Sequence, residues 1–355
     1  MPKILQIGVE KSGNYWLYQT LNAIVERAGW PNTRYVHTLP IYPLFKTWPD
    51  LSFPNQADLD CISVVRRGIW FWIPAIFHWP IEDLDDFASK TTHGWSHSPW
   101  QDPWSGRLLE RFDKTVYIVR DVRDVVVSFA HFQRMPYIQR YSTLAPLGSI
   151  EEQYRDSWMA RTKDWINHVL GYLAHRDQHD IHIICYERLR HDFDNELDRL
   201  LDYLGVSLSG DVKAAMASEL HVSSMKKTAP GHVRKGRAGG WQAALPDDIK
   251  HGISTMAGPL LELLGYSRDE PVSPQEPSKL PRVPAALTSE EIQQVKERCH
   301  LALNAPMLDE MQAQLDVLHQ ALYEPNDSSP SKAKLEETIA IAGECRKLVS
   351  ERLER

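Results

Sequence analysis

Lys11 stands inside a loop bounded by two glycines, in the segment Ile7-Gly8-Val9-Glu10-Lys11-Ser12-Gly13-Asn14-Tyr15-Trp16. The spacing from Gly8 to Gly13, G-x-x-x-x-G, is that of a loop whose backbone N–H groups cradle phosphate. A nucleoside-triphosphate loop continues with a Lys for the outer phosphates and a Ser or Thr for Mg²⁺. Asn14 and Tyr15 occupy those places here. The chemistry on offer is therefore a grip on a nucleotide's phosphate end, without a metal and without a triphosphate. A second constellation lies at Arg120, which ends the apolar run Thr115-Val116-Tyr117-Ile118-Val119. Arginine is suited to a bidentate grip on phosphate. Ser128, about two helical turns further on, offers a hydroxyl donor.

These residues need elements to hold them. Lys3 to Val9 is a short apolar run, which reads as a buried parallel strand. After the loop, Leu17, Leu21, Ile24, Val25 and Ala28 recur at helical spacing, and Gly29 reads as the helix stop. Strand, glycine loop and helix aim N–H groups and a helix N-terminus at an anion. An ordinary strand-to-helix turn holding two glycines accounts for this first segment equally well on spacing alone. Arg120 tips the balance, because ligands of an open parallel sheet sit at the carboxyl ends of its strands. The fold expected is α/β: a central parallel sheet flanked by helices, with a phosphate-binding strand-loop-helix and a helical C-terminal extension.

The two segments resemble the nucleotide-binding motifs of sulfotransferases that use 3′-phosphoadenosine-5′-phosphosulfate (PAPS). The family's P-K-S-G-T/N-T-W is similar to Glu10-Lys11-Ser12-Gly13-Asn14-Tyr15-Trp16. Its R-N-P-R/K-D followed by S-x-x-H-F is similar to Arg120-Asp121-Val122-Arg123-Asp124 and Ser128-Phe129-Ala130-His131-Phe132. Its R-K-G-x-x-G-x-W is similar to Arg234-Lys235-Gly236-Arg237-Ala238-Gly239-Gly240-Trp241. Each motif alone is weak; three in order across about 240 residues are not. The resemblance covers residues 1 to 267 and leaves out the tail.

The resemblance implies a role for each matching position. Lys11, Ser12, Gly13, Asn14 and Tyr15 would hold the 5′-phosphosulfate, with Lys11 also catalytic, stabilising the charge that develops as the S–O bond breaks. Arg120 and Ser128, with Arg234, Lys235 and Gly236, would grip the 3′-phosphate. Trp16, and Tyr186 in a Tyr-Glu pair closing the strand Ile181 to Glu187, would meet the adenine; packing within the core is the alternative for both. Arg123 and Asp124 read as a structural ion pair at a helix start, and His131 as a locally bonded residue. The base that takes the acceptor's proton would be His93, in Lys90-Thr91-Thr92-His93, where the family has K-T-H; His97 is the reserve. Tyr15, Asp121, Val122 and Gly240 depart from the family pattern, and none removes a group with a direct catalytic role.

The resemblance thus implies an enzyme that passes a sulfuryl group in line from PAPS to a hydroxyl of a small-molecule acceptor, with no metal. The aromatic stretch 66 to 104, with Trp70, Phe71, Trp72, Phe77, Trp79, Trp95, Trp100 and Trp104, flanks His93 and suits an acceptor pocket, although part of it must fill the core. A glycan or glycolipid acceptor stays open, as do a non-catalytic nucleotide-binding scaffold and a nucleotide kinase with a degenerate loop. The formal charge of −7 argues against a nucleic-acid partner. Cys61, Cys185, Cys299 and Cys345 are scattered, with no metal-ligand spacing, and Cys185 reads as a buried free thiol. With no signal peptide or membrane span before the first strand, a cytoplasmic protein is expected. The domain expected is 1–267, followed by a Pro-rich linker over 268–287 and helices over 288–355. In that tail Leu308, Met311, Leu315, Leu318 and Leu322 form a seam, either packed on the enzyme or used for homo-oligomerisation.

Overall fold

The computed structural model of the chain describes residues 2–49, 51–73, 77–141, 148–229, 236–272 and 280–300. Seven strands form one sheet: β1 (Ile4–Gly8), β2 (Asp60–Val65), β3 (Gly68–Ile73), β4 (Phe77–Pro80), β5 (His93–Ser96), β6 (Lys114–Val119) and β7 (Ile181–Cys185). Their order is β4-β3-β2-β5-β1-β6-β7. The five strands from β2 to β7 across the centre run parallel. The edge β2-β3-β4 is antiparallel, so the sheet is mixed rather than wholly parallel. Its cause is local: only Arg66 and Arg67 separate β2 from β3, and so short a connection can join antiparallel neighbours but not parallel ones.

β1 lies at the centre and every one of its residues is buried. Its side chains alternate between the two faces. Leu5 and Ile7 join Tyr117 and Val119 in one core, against the helices Val122–Phe132, Ile150–Ala174 and Asp247–Leu263. Ile4 joins Val116, Ile118 and Ile184 in the other, against α1 (Asn14–Arg27) and the helix Phe193–Leu204. Both faces being covered explains why these strands read as continuous apolar runs. Gln6 is the polar exception in β1; fully buried, it donates to the Asn14 carbonyl (2.7 Å) and so ties the strand to the first turn of α1.

The described part of the tail packs on this body. Arg176 donates to the carbonyls of Pro284 (2.7 Å) and Ala285 (2.9 Å). Residues 289–300 are helical, and Ile292, Val295 and Cys299 enter the larger core. The leucine seam expected from Leu308 to Leu322, the helix expected after it, and the middle of the Pro-rich stretch lie outside the described residues. Among the described residues, no helix is long and apolar enough to cross a membrane. Cys61, Cys185 and Cys299 are buried free thiols.

Candidate active site

The glycine loop follows β1 directly. A Cβ on Gly8 would lie 2.7 Å from Asn14 Oδ1 and 2.8 Å from the Ile118 carbonyl, so backbone approach alone demands glycine there. Lys11 and Gly13 have left-handed backbones, with φ of 70° and 100°. Side-chain and backbone groups then close the loop: Ser12 N–H donates to the Val9 carbonyl (3.1 Å) and Asn14 Nδ2 to the same oxygen (2.8 Å). α1 starts at Asn14, which puts a helix N-terminus behind the loop. Ser12 Oγ, Asn14 Oδ1, Trp16 Nε1 and Arg120 Nε are buried without a hydrogen-bond partner. Such atoms are rare in folded proteins, and four cluster here.

Arg120 follows the last residue of β6. Its Nη1 donates to the Lys11 carbonyl (3.1 Å) and its Nη2 to the Arg237 carbonyl (2.9 Å). The guanidinium lies 4.2 Å over the Tyr186 ring, and Trp165 Nε1 donates to the Arg120 carbonyl (3.0 Å). Tyr186 in turn closes against the loop, where a Cβ on Gly13 would run into its ring. Trp16 meets Tyr186 edge-on at 6.0 Å. Gly236 has φ of 55°, and its carbonyl accepts from Arg190 Nε (2.8 Å). Arg234 and Lys235 lie outside the described residues.

The ion pair expected between Arg123 and Asp124 is not formed. Arg123, fully buried, pairs with Asp121 (2.8 Å), which also caps the helix by accepting from Arg123 N–H (2.9 Å). Asp124 instead faces Arg120, at 3.5 Å, and accepts from the N–H groups of Gly239 (2.8 Å) and Trp241 (3.0 Å). Burial pushes the Asp124 carboxyl up, against the pull of Arg120.

The two histidines separate cleanly. His93 pairs with Ile4, at the amino end of β1, whereas Ser96 pairs with Ile7. His93 is therefore at the far end of the strand from the loop. It is 1% exposed, its ring stacks on Tyr18 (5.1 Å), and its nitrogens lie against Gln6 Oε1 (3.2 Å) and Asn22 Oδ1 (3.4 Å). Burial holds its pKa well below the ordinary value, with Arg34 adding to the effect. His93 thus lies away from the glycine loop, at the opposite end of the strand from the residues expected to hold the 5′-phosphosulfate. His97, one residue past β5, is at the carboxyl edge. Its Nδ1 lies 2.7 Å from the Gly8 carbonyl and its Nε2 accepts from Trp95 Nε1 (2.9 Å). Burial lowers its pKa, Glu10 and the Gly8 carbonyl raise it, and Lys11 lowers it again.

One cavity of about 640 Å³ takes in these groups, a size usual for ligand sites. Lys11, Gly13, Asn14, Tyr15, Trp16, Arg120, Ser128, Tyr186 and Gly236 line it, and so do His97 and His131; His93 does not. Lys11 Nζ lies 4.0 Å over the Phe132 ring. Tyr15 packs on Phe53 (4.7 Å), and its hydroxyl bonds to Gln19 and Thr228. Of the aromatic stretch, Trp72 and Trp95 line the cavity. Phe71 is core, Trp79 is 47% exposed, Trp100 stacks on His175 (3.7 Å) and Trp104 carries Arg107 (5.0 Å). Sequence reasoning missed Glu10, Arg161 and Arg237 in the lining and Asp124 as the clamp.

The family model of the sulfotransferase domain matches residues 1–262. Human sulfotransferase 1C2 is 27% identical over 116 residues, covering 32% of this chain and 38% of that protein. Human sulfotransferase 2B1 is 24% identical over 198 residues, covering 48% and 53%. The chain thus spans about half the length of the curated relatives it matches. Among solved structures, mouse sulfotransferase SULT7A1 complexed with PAP is 17% identical, with a TM-score of 0.48 over 71% of this chain and 81% of that one. Retinol dehydratase in a complex with retinol and PAP is likewise 17% identical, with a TM-score of 0.48 over 73% and 81%. Taken with the three motifs around one cavity, the match over residues 1–262 means that this chain belongs to the sulfotransferase domain family.

Proposed function

We infer that the protein is a PAPS-dependent sulfotransferase acting on a hydroxyl of an apolar small molecule. The observation that carries this reading is the meeting of Lys11, Arg120 and Ser128 with His97 and aromatic side chains in one cavity. The site fits the phosphate end of a nucleotide: Ser12 Oγ and Arg120 Nε are buried donors awaiting acceptors, beside a helix N-terminus. When bound, PAPS would supply the activated sulfuryl group. The loop from Lys11 to Tyr15 holds its 5′ end; Arg120, Ser128, Gly236 and, by their place in the motif, Arg234 and Lys235 hold the 3′-phosphate. Trp16 and Tyr186 face the base. Lys11 steadies the charge left on the 5′-phosphate. His97 accepts the acceptor's proton at Nε2, since Nδ1 is committed to the Gly8 carbonyl. Trp72, Trp95, Phe129, Phe132 and Ile138 give the same cavity an apolar lining, which favours an apolar acceptor over a glycan.

The test is calorimetric binding of adenosine 3′,5′-bisphosphate (PAP) against 5′-AMP and against ATP with Mg²⁺. Preference for the bisphosphate is expected and justifies an acceptor screen with PAPS. Preference for ATP would overturn the reading.

A further inference from the structure

Trp95 and His97 are two residues apart, and the indole N–H of the first points at the nitrogen that the second would use as a base. A carbonyl only accepts, so the 2.7 Å contact with Gly8 puts the imidazole proton on Nδ1. Nε2 then carries the single lone pair, and Trp95 Nε1–H, a group that can only donate, occupies it at 2.9 Å. Proton arrival at Nε2 would set N–H against N–H at that distance. The indole and a transferred proton cannot both be there.

We propose that Trp95 is a removable cap on His97, holding the imidazole neutral and in one tautomer until an acceptor hydroxyl takes the indole's place at Nε2. This rests on the reading of His97 as the base. The hydroxyl gives its proton to Nε2 and keeps the electron pair that it uses on sulfur. Trp95 lines the same cavity as His97 and is 5% exposed. Tyr18 (5.2 Å) and Phe53 (6.3 Å, nearly parallel) pack against its ring, and of these three rings Trp95 is the one that lines the cavity, so a ligand there meets the cap directly. The charged and titratable groups around His97 are Glu10 and Lys11 from the glycine loop, and His168 from the long helix, whose Nε2 donates to the His97 carbonyl (3.2 Å). Tyr117 lies behind His168, its hydroxyl 2.9 Å from Nδ1. None of these contacts Nε2 as Trp95 does. Trp95 is thus a positioning residue, acting through His97.

The experiment is an NMR titration of ¹⁵N-histidine-labelled protein, comparing wild type with Trp95→Phe and identifying the His97 signals by their loss in His97→Gln. Losing a donor to the neutral ring should raise the His97 pKa by roughly 0.5–1 unit. An unchanged or lowered value overturns the proposal. Should Trp95→Phe not fold, the wild type decides. A scalar coupling across the N–H···N bond from Trp95 to His97 is expected above the His97 titration and should vanish below it; its absence at high pH overturns the cap. Neither readout needs turnover, so a failed cap is told apart from a failed enzyme reading, which PAP binding tests by itself.

Discussion

Arg120 and Asp124 stand one helical turn apart, 3.5 Å from each other and almost fully buried, and each also holds the third motif: Arg120 through the Arg237 carbonyl, Asp124 through Gly239 N–H. The pair couples the phosphate loop to the Gly236–Trp241 segment. Asp124→Ala leaves a buried guanidinium without its carboxylate, a change that costs about 3–5 kcal/mol. A lower denaturation midpoint and weaker PAP binding should appear together in calorimetry. Unaltered PAP affinity would show that the pair does not organise the site.

Lys11 is held by a left-handed backbone and lines the cavity beside the glycine loop. Removal of one fixed donor from a developing charge lowers kcat by roughly 10²–10³. Lys11→Ala should therefore lose that factor in steady-state sulfuryl transfer from PAPS while its circular dichroism stays native. A wild-type kcat would remove Lys11 from the mechanism.

The histidines at the start of β5 and just past its end provide a contrast. His97→Ala should lower kcat by about 10²–10⁴, the usual reach of a general base. His93→Ala removes a buried ring that packs on Tyr18 and contacts Gln6, so its cost falls on stability, about 1–3 kcal/mol by chemical denaturation. The reverse pattern, with turnover lost from His93→Ala and kept in His97→Ala, would restore His93 as the base.

Glu187 is fully buried behind Tyr186, accepting from the Tyr266 hydroxyl (2.7 Å) and from Asp121 N–H (3.1 Å). Burial pushes its carboxyl up to about 7, against the hydrogen bond from Tyr266 and the pull of Arg120. The folded state therefore keeps a proton that the unfolded chain has lost. This contribution to stability is full below the ordinary carboxylate range and falls as pH rises towards 7. Glu187→Gln cannot ionise. Its stability relative to wild type should be higher at pH 8 than at pH 5, read from urea midpoints; a pH-independent difference would refute the assignment.

Local sequence carried the chemistry of this protein. The glycine loop, Arg120 with Ser128, and the Gly236 segment each lie within a few consecutive residues, and phosphate recognition by backbone N–H groups and arginine depends on such short-range spacing. The apolar runs of β1, β6 and β7 were legible for the same reason: both faces of a central parallel strand are buried, so its own composition reports its place. The antiparallel edge was less visible, since β3 and β4 share their aromatic composition with core and pocket residues alike.

What tertiary structure alone decided is which side chain stands at the carboxyl edge of the sheet. His93 and His97 lie on the same segment and both read as candidates. Pairing of His93 with Ile4 and of Ser96 with Ile7 puts them at opposite ends of β1. Which residue of β5 faces which residue of β1 depends on a partner strand more than eighty residues away, which a local reading of β5 does not contain. The same holds for Asp124, whose partners Gly239 and Trp241 lie more than a hundred residues away and meet it only because the helix Val122–Phe132 packs where the third motif returns.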